Sequence, residues 1–204
     1  LAYLCCLPNV VVMAPSDEAE LAKMVMTASK HSGGPIFCRY PRGEGEGVDF
    51  TDIVQDVKIG KGRIIKRGKD LAILALGTRV GSALKVADHL LQYNLNITVA
   101  DARFAKPIDT QLVEKLWNEH QKLIIIEEGS AGGFSSHCLH FLSSKDLLNK
   151  HDKEIKCLTM PDNFQDHASQ KEQLAKAGLD TDGLMKVVSK MIPLSNVKNK
   201  SITN

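Results

Sequence analysis

The sequence contains few aromatic residues and no large excess of charge of either sign. Aromatic side chains make up 5% of its 204 residues, so the core must be built mainly from aliphatic side chains and methionine. Its 26 basic and 24 acidic residues are interspersed and give a formal net charge of +2. Such a balance lacks the basic patch that is typical of proteins binding nucleic acid or membrane surfaces.

Long apolar runs and paired cysteines are also missing. No run approaches the roughly 20 apolar residues that a membrane-spanning helix requires, and no signal peptide is visible. The five cysteines form no Cys-x-x-Cys pair, and several lie in apolar runs, which favours buried reduced thiols over disulfides or a metal site. These features predict a soluble protein of a reducing compartment. The five are Cys5, Cys6, Cys38, Cys138 and Cys157.

Motifs of several common enzyme classes are absent or wrongly spaced. Gly62 and Gly68 suggest a Walker loop, but Asp70 stands where Ser or Thr should be. The glycines of segment 43–47 have the wrong spacing for a dinucleotide fingerprint. There is no Gly-x-Ser-x-Gly elbow, and the scattered histidines have no carboxylate at metal-ligand spacing. From the residues alone, the chain therefore has a binding surface but no nucleophile–base pair.

Strand and helix patterns alternate along the chain. A β-branched run at 9–14, a helix capped by Ser16 or Asp17, and a strand at 36–39 predict a parallel strand pair with a helical crossover. The alternation resumes after residue 58 and predicts an α/β fold, with a largely parallel, possibly mixed, sheet flanked by helices. The later strands are predicted at 59–65, 71–76, 97–100, 123–126 and 155–159, and the helices at 80–91, 109–117, 134–142, 170–177 and 182–191.

Changes in composition suggest the domain boundaries. Residues 44–57 are Gly-rich and acidic, which indicates a linker, and residues 193–204 are rich in Asn, Lys and Ser, which indicates a disordered tail. We therefore expect one unit at 1–43 and another at 58–192. Because the chain opens at Leu1 without an initiator Met and soon enters a strand, we expect it to be the back part of a longer protein.

Arg42 lies in the most informative segment, GPIFCRYPRG at 34–43. A short apolar strand there runs into a loop with two guanidinium groups, and ligands of open α/β sheets bind beyond the carboxyl ends of strands. The nearest acids, Glu44 and Glu46, are expected to point into the linker. Physical reasoning leaves two roles for Arg42 equally open, binding of a phosphate or carboxylate and a structural contact.

Charged residues at two other strand ends are interpreted structurally. Glu127 and Glu128 should point to opposite faces, and helix capping or ion pairing is preferred over catalysis. Asp101 and Arg103 precede a helix start, and an ion pair between them that braces the turn is preferred over a ligand role.

Six segments occur in an order that resembles one enzyme family. They are APSDEAEL at 14–21, GPIFCRYPRG at 34–43, ALGTRVGSAL at 75–84, VADARFAKPID at 99–109, EEGSAGGFSSH at 127–137 and MPDNFQDHAS at 160–169. Together they resemble the carboxyl-terminal third of the 1-deoxy-D-xylulose-5-phosphate synthases, over essentially the whole chain to about Met191. Other thiamine-diphosphate enzymes share only pieces of this series, such as the Asp-x-Arg-x-x-x-Pro pattern.

This resemblance implies a fold and a reaction. Residues 1–43 would end a pyrimidine-binding domain, and residues from 58 onward would form a transketolase C-terminal domain. The implied reaction condenses pyruvate with glyceraldehyde 3-phosphate, with loss of carbon dioxide, for isoprenoid, thiamine and pyridoxal synthesis. The family uses thiamine diphosphate and Mg²⁺. A homodimer in the bacterial cytoplasm or the plastid stroma is implied, with no nucleic-acid or membrane partner.

The family's functional residues are only partly represented. Its Gly-Asp-Gly metal motif, catalytic glutamate and active-site histidine would precede Leu1, so the resemblance implies no catalytic, cofactor or metal residue in this chain, which would be inactive alone. Arg42 matches the arginine that helps to hold the aldehyde's phosphate, and Arg39 and Tyr40 are expected to shape the loop. Cys5 stands where relatives commonly have Arg, a departure that bears on the rim of the site.

Two alternatives remain open. A transketolase or the beta subunit of a 2-oxoacid dehydrogenase would share the fold, although such subunits should begin with their own Met and the segment at 160–169 argues against them. The other alternative is a non-catalytic module for dimerisation or anion binding. Residues 1–43 count against it, because by themselves they would leave sheet edges and apolar surface exposed.

Overall fold

The computed structural model describes residues 1–49, 55–149 and 152–192, which form two sheets with helices packed against them. The strands are β1 Val11–Met13, β2 Ile36–Cys38, β3 Arg63–Lys66, β4 Ala72–Ala75, β5 Thr98–Asp101, β6 Phe104–Lys106, β7 Lys122–Ile126 and β8 Glu154–Leu158. The helices are α1 Ala2–Cys5, α2 Glu18–Lys30, α3 Arg79–Leu90, α4 Thr110–Glu119, α5 Phe134–Ser144, α6 Gln170–Ala177 and α7 Thr181–Met191. Short 3-10 turns span Leu91–Tyr93 and Leu147–Asn149.

The smaller sheet has the strand order β2-β1-β6. Strands β1 and β2 are parallel, with Val11 opposite Ile36, and α2 connects them, which confirms the predicted strand–helix–strand unit. Strand β6 pairs antiparallel with β1. It was not predicted, because three residues that follow a tight turn are too few to show the alternation of apolar and polar residues that indicates a strand. It comes from the later part of the chain, and the division into units at 1–43 and 58–192 stays a prediction.

The larger sheet has the order β3-β5-β4-β7-β8. Its last four strands are parallel and β3 is antiparallel, which confirms a largely parallel, mixed sheet. Residues 72–75 of β4 and 123–126 of β7 are fully buried. Continuous apolar runs of this kind form central strands because helices cover both faces of the sheet.

Alternate residues of the central strands pack into clusters on opposite faces of the larger sheet. On one face Leu74 and Ile125 pack with α4 and α5 residues such as Leu116 and Phe134. On the other face Ile73 and Ile124 pack with α3 and α7, through residues that include Val86 and Val188. A third cluster lies beneath α2 and joins Met13, Met24 and Phe104. The core is aliphatic, as the low aromatic content predicts.

The helix starts follow the predicted capping chemistry. Asp17 caps α2 by accepting a hydrogen bond from the Glu20 backbone N–H at 2.8 Å, and Asp109 caps α4 through Leu112 N–H at 3.1 Å. Helix α6 starts at Gln170, as predicted, with a capping box formed by Ser169 and Glu172. The four-residue helix α1 was not predicted, because it is short and lies directly before an apolar run that predicts a strand.

The structure also locates the cysteines. All five are free: Cys5 and Cys138 are buried, Cys38 and Cys157 are half-buried, and Cys6 is exposed, contrary to the general expectation of burial. Burial raises the pKa of the Cys38 and Cys157 thiols to about 11. Within the described residues, no helix combines the length and apolar character needed to cross a membrane. The predicted tail at 193–204 and part of the predicted linker lie outside the described residues.

Candidate functional site

A cavity of about 420 Å³ lies at the carboxyl edges of the two sheets. The edges meet where the Ala14 N–H, just after β1, donates to the Arg103 carbonyl after β5 at 2.9 Å. The cavity is lined by residues 15–18 and Leu21, by residues 40–46 after β2, and by Thr78 after β4. This is the position in which α/β sheets bind ligands.

Arg42 lines this cavity, with its side chain exposed. It makes no hydrogen bond or ion pair with any residue that the structure describes. Arg39, three residues earlier, is not among the lining residues and donates to Glu128 Oε1 at 2.5 Å. The loop therefore separates its two guanidinium groups, because Arg39 has a carboxylate partner and Arg42 faces the cavity. The phosphate-binding role of Arg42 stays a prediction.

Tyr40 also lines the cavity and is 60% exposed. The contact of Arg39 with Glu128 fixes the start of the loop, and Tyr40 follows that anchor directly. These positions are compatible with the loop-shaping roles expected of Arg39 and Tyr40, which also stay predictions.

Glu44 and Glu46 are exposed and are among the residues that line the same cavity, and the expectation that their side chains point into the linker stays a prediction. A contact that the sequence does not reveal follows them: the Gly47 N–H donates to Glu18 Oε1 of α2 at 2.7 Å. Gly45 lies so close that a Cβ there would overlap the Glu18 carboxylate. Arg42 therefore lines the cavity together with four acidic residues, Asp17, Glu18, Glu44 and Glu46.

Thr78 and Arg79 begin α3 at the rim of the cavity, next to Glu128. The Thr78 hydroxyl donates to Glu128 Oε2 at 3.4 Å, and Arg79 Nε lies 3.8 Å from the same oxygen. Burial lowers the pKa of Arg79, while the charge of Glu128 acts in the opposite direction. Glu128 thus joins β7, the loop after β2 and the start of α3.

The preferred interpretation of the two adjacent glutamates is confirmed. Glu128 is ion-paired, whereas Glu127 is fully buried and caps α5 from the opposite face. Glu127 accepts hydrogen bonds from Phe134 N–H at 3.0 Å and from Ser135 N–H and Oγ, both at 2.8 Å. A carboxylate held by donors at a helix start needs no catalytic role to explain its burial.

The prediction that the side chains of Asp101 and Arg103 form an ion pair was wrong, because each binds a different partner. The Arg103 guanidinium binds Glu20 of α2, with Nε 2.7 Å from Oε2 and Nη2 3.0 Å from Oε1. Asp101 instead pairs with Arg63 at 3.2 Å and accepts the Arg103 backbone N–H at 3.0 Å. Arg63 also reaches Glu20 at 3.1 Å, so one buried network ties α2 to the larger sheet.

The two acids of this network have opposite pKa shifts. Burial raises the pKa of Asp101 to about 6, and Arg63 only partly offsets that effect. Burial would also raise the pKa of Glu20, but the hydrogen bond and charge of Arg103 outweigh it and the pKa is lowered. Sequence reasoning missed Glu20, which looked like an ordinary acid in the first turn of a helix.

Cys5 is not among the residues that line the cavity. It is buried in the apolar cluster with Val12 and Ala105, where desolvation raises the pKa of its thiol. The backbone carbonyl of Cys5 accepts a hydrogen bond from Lys106 Nζ at 3.0 Å. The structure thus gives no support to the idea that this position shapes the rim.

No residue of this chain is predicted to bind thiamine diphosphate or Mg²⁺. Within the described ranges, no group of three or more His, Cys, Asp or Glu side chains is arranged to hold a metal ion.

Similarity to known proteins supports the fold and identifies its class. The profile described as transketolase, C-terminal domain, matches residues 60–184, which is more than half of the chain. The chain therefore belongs to the transketolase C-terminal domain family. A solved structure described as "Split gene transketolase, inactive beta4 tetramer" is 28% identical with a TM-score of 0.81. The match covers 95% of this chain and 61% of the other, so this chain spans less than two thirds of the matched one.

Proposed function

We propose that this chain forms the carboxyl-terminal part of a thiamine-diphosphate-dependent transferase, a 1-deoxy-D-xylulose-5-phosphate synthase. The six motifs found in the family's order support the assignment. The observation that carries it is Arg42, a guanidinium that lines a cavity at the carboxyl ends of the strands and has no partner among the described residues. In this proposal the chain binds and orients a substrate and is inactive by itself.

Arg42 binds the phosphate of glyceraldehyde 3-phosphate in this proposal. A guanidinium presents forked N–H donors that match two phosphate oxygens, and a hydrogen bond to a charged group contributes roughly 1.5–3 kcal/mol. Thr78 and Ser16 place hydroxyl groups on the same cavity wall. Ser16 donates to Asp17 and Thr78 to Glu128, so these hydroxyls act as supports and Arg42 supplies the charge.

The remaining features of the proposal concern the whole protein. Thiamine diphosphate with Mg²⁺, when bound, supplies the carbanion chemistry on pyruvate, and its ligands lie outside this chain. Residues 1–43 belong to a pyrimidine-binding domain, residues 58–192 to the C-terminal domain, and residues 44–57 link them. The protein is a homodimer of the bacterial cytoplasm or the plastid stroma.

Another transketolase-like enzyme is a second candidate. The observation that favours it is the 28% identity to a split-gene transketolase over 95% of this chain. In that case Arg42 would bind the phosphate of a sugar substrate, and the thiamine-binding part would belong to a separate chain. The shared element in both proposals is a phosphorylated substrate at Arg42.

The substrates distinguish these proposals. The protein translated from the whole coding sequence that contains these residues is incubated with pyruvate, glyceraldehyde 3-phosphate, thiamine diphosphate and Mg²⁺. We expect release of carbon dioxide and formation of 1-deoxy-D-xylulose 5-phosphate, measured by mass spectrometry. Ketol transfer between sugar phosphates without pyruvate decarboxylation would favour the second candidate. The 204-residue chain alone should not decarboxylate pyruvate.

A further inference from the structure

Glu128 joins two segments that line the cavity, although it is not itself a lining residue. Its Oε1 accepts a hydrogen bond from Arg39 Nη2 at 2.5 Å, and Arg39 lies directly before the lining segment 40–46. Its Oε2 accepts a hydrogen bond at 3.4 Å from the hydroxyl of Thr78, which lines the cavity at the start of α3. One carboxylate therefore holds the two segments together.

The backbone on either side of Glu128 is fixed. Glu127 is fully buried, and its N–H donates to the Leu158 carbonyl of β8 at 3.1 Å. The Gly129 carbonyl accepts a hydrogen bond from the Met160 N–H at 2.8 Å. The Glu128 side chain is 13% exposed, so its surroundings enclose it as well. A side chain on such a support is able to fix a loop that it contacts.

The charge of Glu128 is balanced by two guanidinium groups. Arg39 Nη2 lies 2.5 Å from Oε1, and Arg79 Nε lies 3.8 Å from Oε2. Arg79 is buried, and its Nη1 donates to the Leu179 carbonyl at 2.8 Å. Two positive groups against one carboxylate leave a net positive charge in this cluster. Glu128 can therefore lie close to an anion site without a net repulsion of the anion by the cluster.

Arg42 depends on its backbone for its position. Its side chain is exposed and makes no hydrogen bond or ion pair with the residues that the structure describes. The ring of Pro41, directly before it, fixes one backbone angle and restricts the conformation of Tyr40. Few backbone conformations are therefore available between Arg42 and Arg39, whose guanidinium is bound to Glu128.

The position of Arg42 matters because four acidic residues line the same cavity. Coulomb energies fall with distance, so an anion binds there only where it lies closer to the guanidinium than to these carboxylates. The forked N–H donors of Arg42 also need a defined orientation toward two phosphate oxygens. A displaced Arg42 would lose both advantages.

We propose that Glu128 is a positioning residue for the anionic substrate: it holds Arg39 against the start of α3 and so places Arg42 where its guanidinium binds a phosphate group. The inference rests on the proposed phosphate-binding role of Arg42 and adds the residue that fixes its place. Glu128 does not contact the substrate. It reduces the conformational freedom that the loop would otherwise lose on binding.

Two substitutions of Glu128 separate positioning from an effect of charge alone. If the carboxylate acted only through its charge, Glu128→Gln would strengthen phosphate binding, because a negative group is removed, and Glu128→Asp would leave it unchanged. If Glu128 positions Arg42, both variants bind phosphate more weakly. An amide does not hold two guanidinium groups, and the shorter aspartate cannot reach both Arg39 and Thr78.

Calorimetry with inorganic phosphate makes this measurement on the protein translated from the whole coding sequence. We expect the dissociation constant to rise about tenfold in Glu128→Gln and in Glu128→Asp, within the range of couplings between residues of one network. Arg42→Ala should lose binding, and Glu114→Gln, at an exposed position of α4, should bind as the wild type does. Circular dichroism checks that each variant is folded. Glu128→Asp keeps a charge beside buried Arg79 and decides the test if Glu128→Gln does not fold.

A comparison of two KM values separates positioning from a purely structural role. In the same whole protein, Glu128→Asp should raise KM for glyceraldehyde 3-phosphate about tenfold and leave KM for pyruvate unchanged, because pyruvate carries no phosphate. An equal rise in both KM values would overturn the proposal, since it would indicate general damage to the enzyme.

The outcomes also separate this inference from the function on which it rests. If Arg42→Ala binds phosphate as the wild type does, the role of Arg42 and the positioning role of Glu128 both fail. If Arg42→Ala loses binding but Glu128→Asp binds phosphate as the wild type does, the anion site stands and the positioning role is wrong. Tighter binding by a folded Glu128→Gln would likewise overturn positioning and leave only an effect of charge.

Discussion

The two sheets are stabilised in different ways. The larger sheet is covered on both faces, and the apolar residues of its central strands β4 and β7 pack into apolar clusters. The smaller sheet joins it through both apolar packing and charge: Val12 and Ala105 share a core cluster with Leu74. In addition, Glu20 binds Arg103 and Arg63, and Arg39 binds Glu128. The comparison teaches that apolar burial stabilises the centre of the larger sheet, whereas the junction between the sheets combines apolar packing with ion pairs close to the cavity.

The largest loss of stability should come from truncating an apolar side chain in the centre of the larger sheet. Leu74→Ala in β4 removes a fully buried side chain and should lower the free energy of unfolding by about 2–5 kcal/mol. Ile65→Ala in β3, where the side chain is 40% exposed, is the control and should cost much less. Urea unfolding followed by circular dichroism measures both. Equal losses would mean that burial in the centre of the larger sheet does not determine how much a side chain stabilises the fold.

Glu20→Gln should be the next most damaging change. It removes the charge that Arg103 and Arg63 share, at a cost of about 2 kcal/mol, because Arg103 loses its carboxylate and Arg63 keeps only Asp101. The free energy of unfolding checks this result, with Glu114→Gln as the exposed control. A variant as stable as the wild type would show that the two sheets do not need this network.

Arg42→Ala should leave stability unchanged and alter substrate use. In the whole enzyme, kcat/KM for the phosphorylated aldehyde should fall about 10- to 100-fold, because a charge-assisted hydrogen bond is lost. Arg42→Lys should recover only part of this, since an ammonium group lacks the forked donors. Arg67→Ala, an exposed arginine on the turn after β3, is the matched control. Equal losses with pyruvate and the aldehyde would contradict a phosphate role.

The smallest effect concerns pH and Asp101. Because folding raises the pKa of Asp101 to about 6, the folded state binds the proton more tightly than the unfolded one. Stability should therefore decrease as pH rises from about 4 to 6, by on the order of 1 kcal/mol, and level off above. Asp101→Asn should remove this slope, whereas Asp88→Asn at an exposed ion pair should keep it. Unfolding in urea at several pH values measures the slope.

Glu20 contributes a pH dependence of the opposite sign. Its pKa is lowered by folding, so its stabilising effect is present above the ordinary glutamate pKa and is lost as the pH falls through the folded value. The two slopes occupy different windows, with Glu20 acting at the more acidic end. A single monotonic change of stability over the whole acidic range would contradict the separate shifts.

The sequence predicted the apolar part of the molecule well, because local patterns determine it. Strands β4 and β7 agree with continuous β-branched or aliphatic runs, and helix α6 agrees at both ends with its prediction. Caps such as Asp17 were also visible, since a cap contacts residues only three positions away.

The charged part was predicted less well, because its partners are distant in sequence. Asp101 was predicted as the ion-pair partner of Arg103, but the Arg103 guanidinium binds the carboxylate of Glu20, which is 83 residues away. The contact between Glu18 and the Gly47 N–H was not predicted, because the two residues are 29 positions apart. The local pattern was enough to place Arg42 at the end of a strand. Its phosphate-binding role could not be predicted in the same way, because that role depends on which ligand enters the cavity.

Strand β6 has a consequence for anyone who divides this protein. It runs beside β1, with Lys106 opposite Val12 and Phe104 opposite Met13, so a segment from beyond residue 100 completes a sheet begun near residue 11. Cutting the gene between residues 43 and 58 would not yield two intact modules. The first piece would lose the strand that is hydrogen-bonded to β1, and the second piece would carry β6 without the partner with which it pairs.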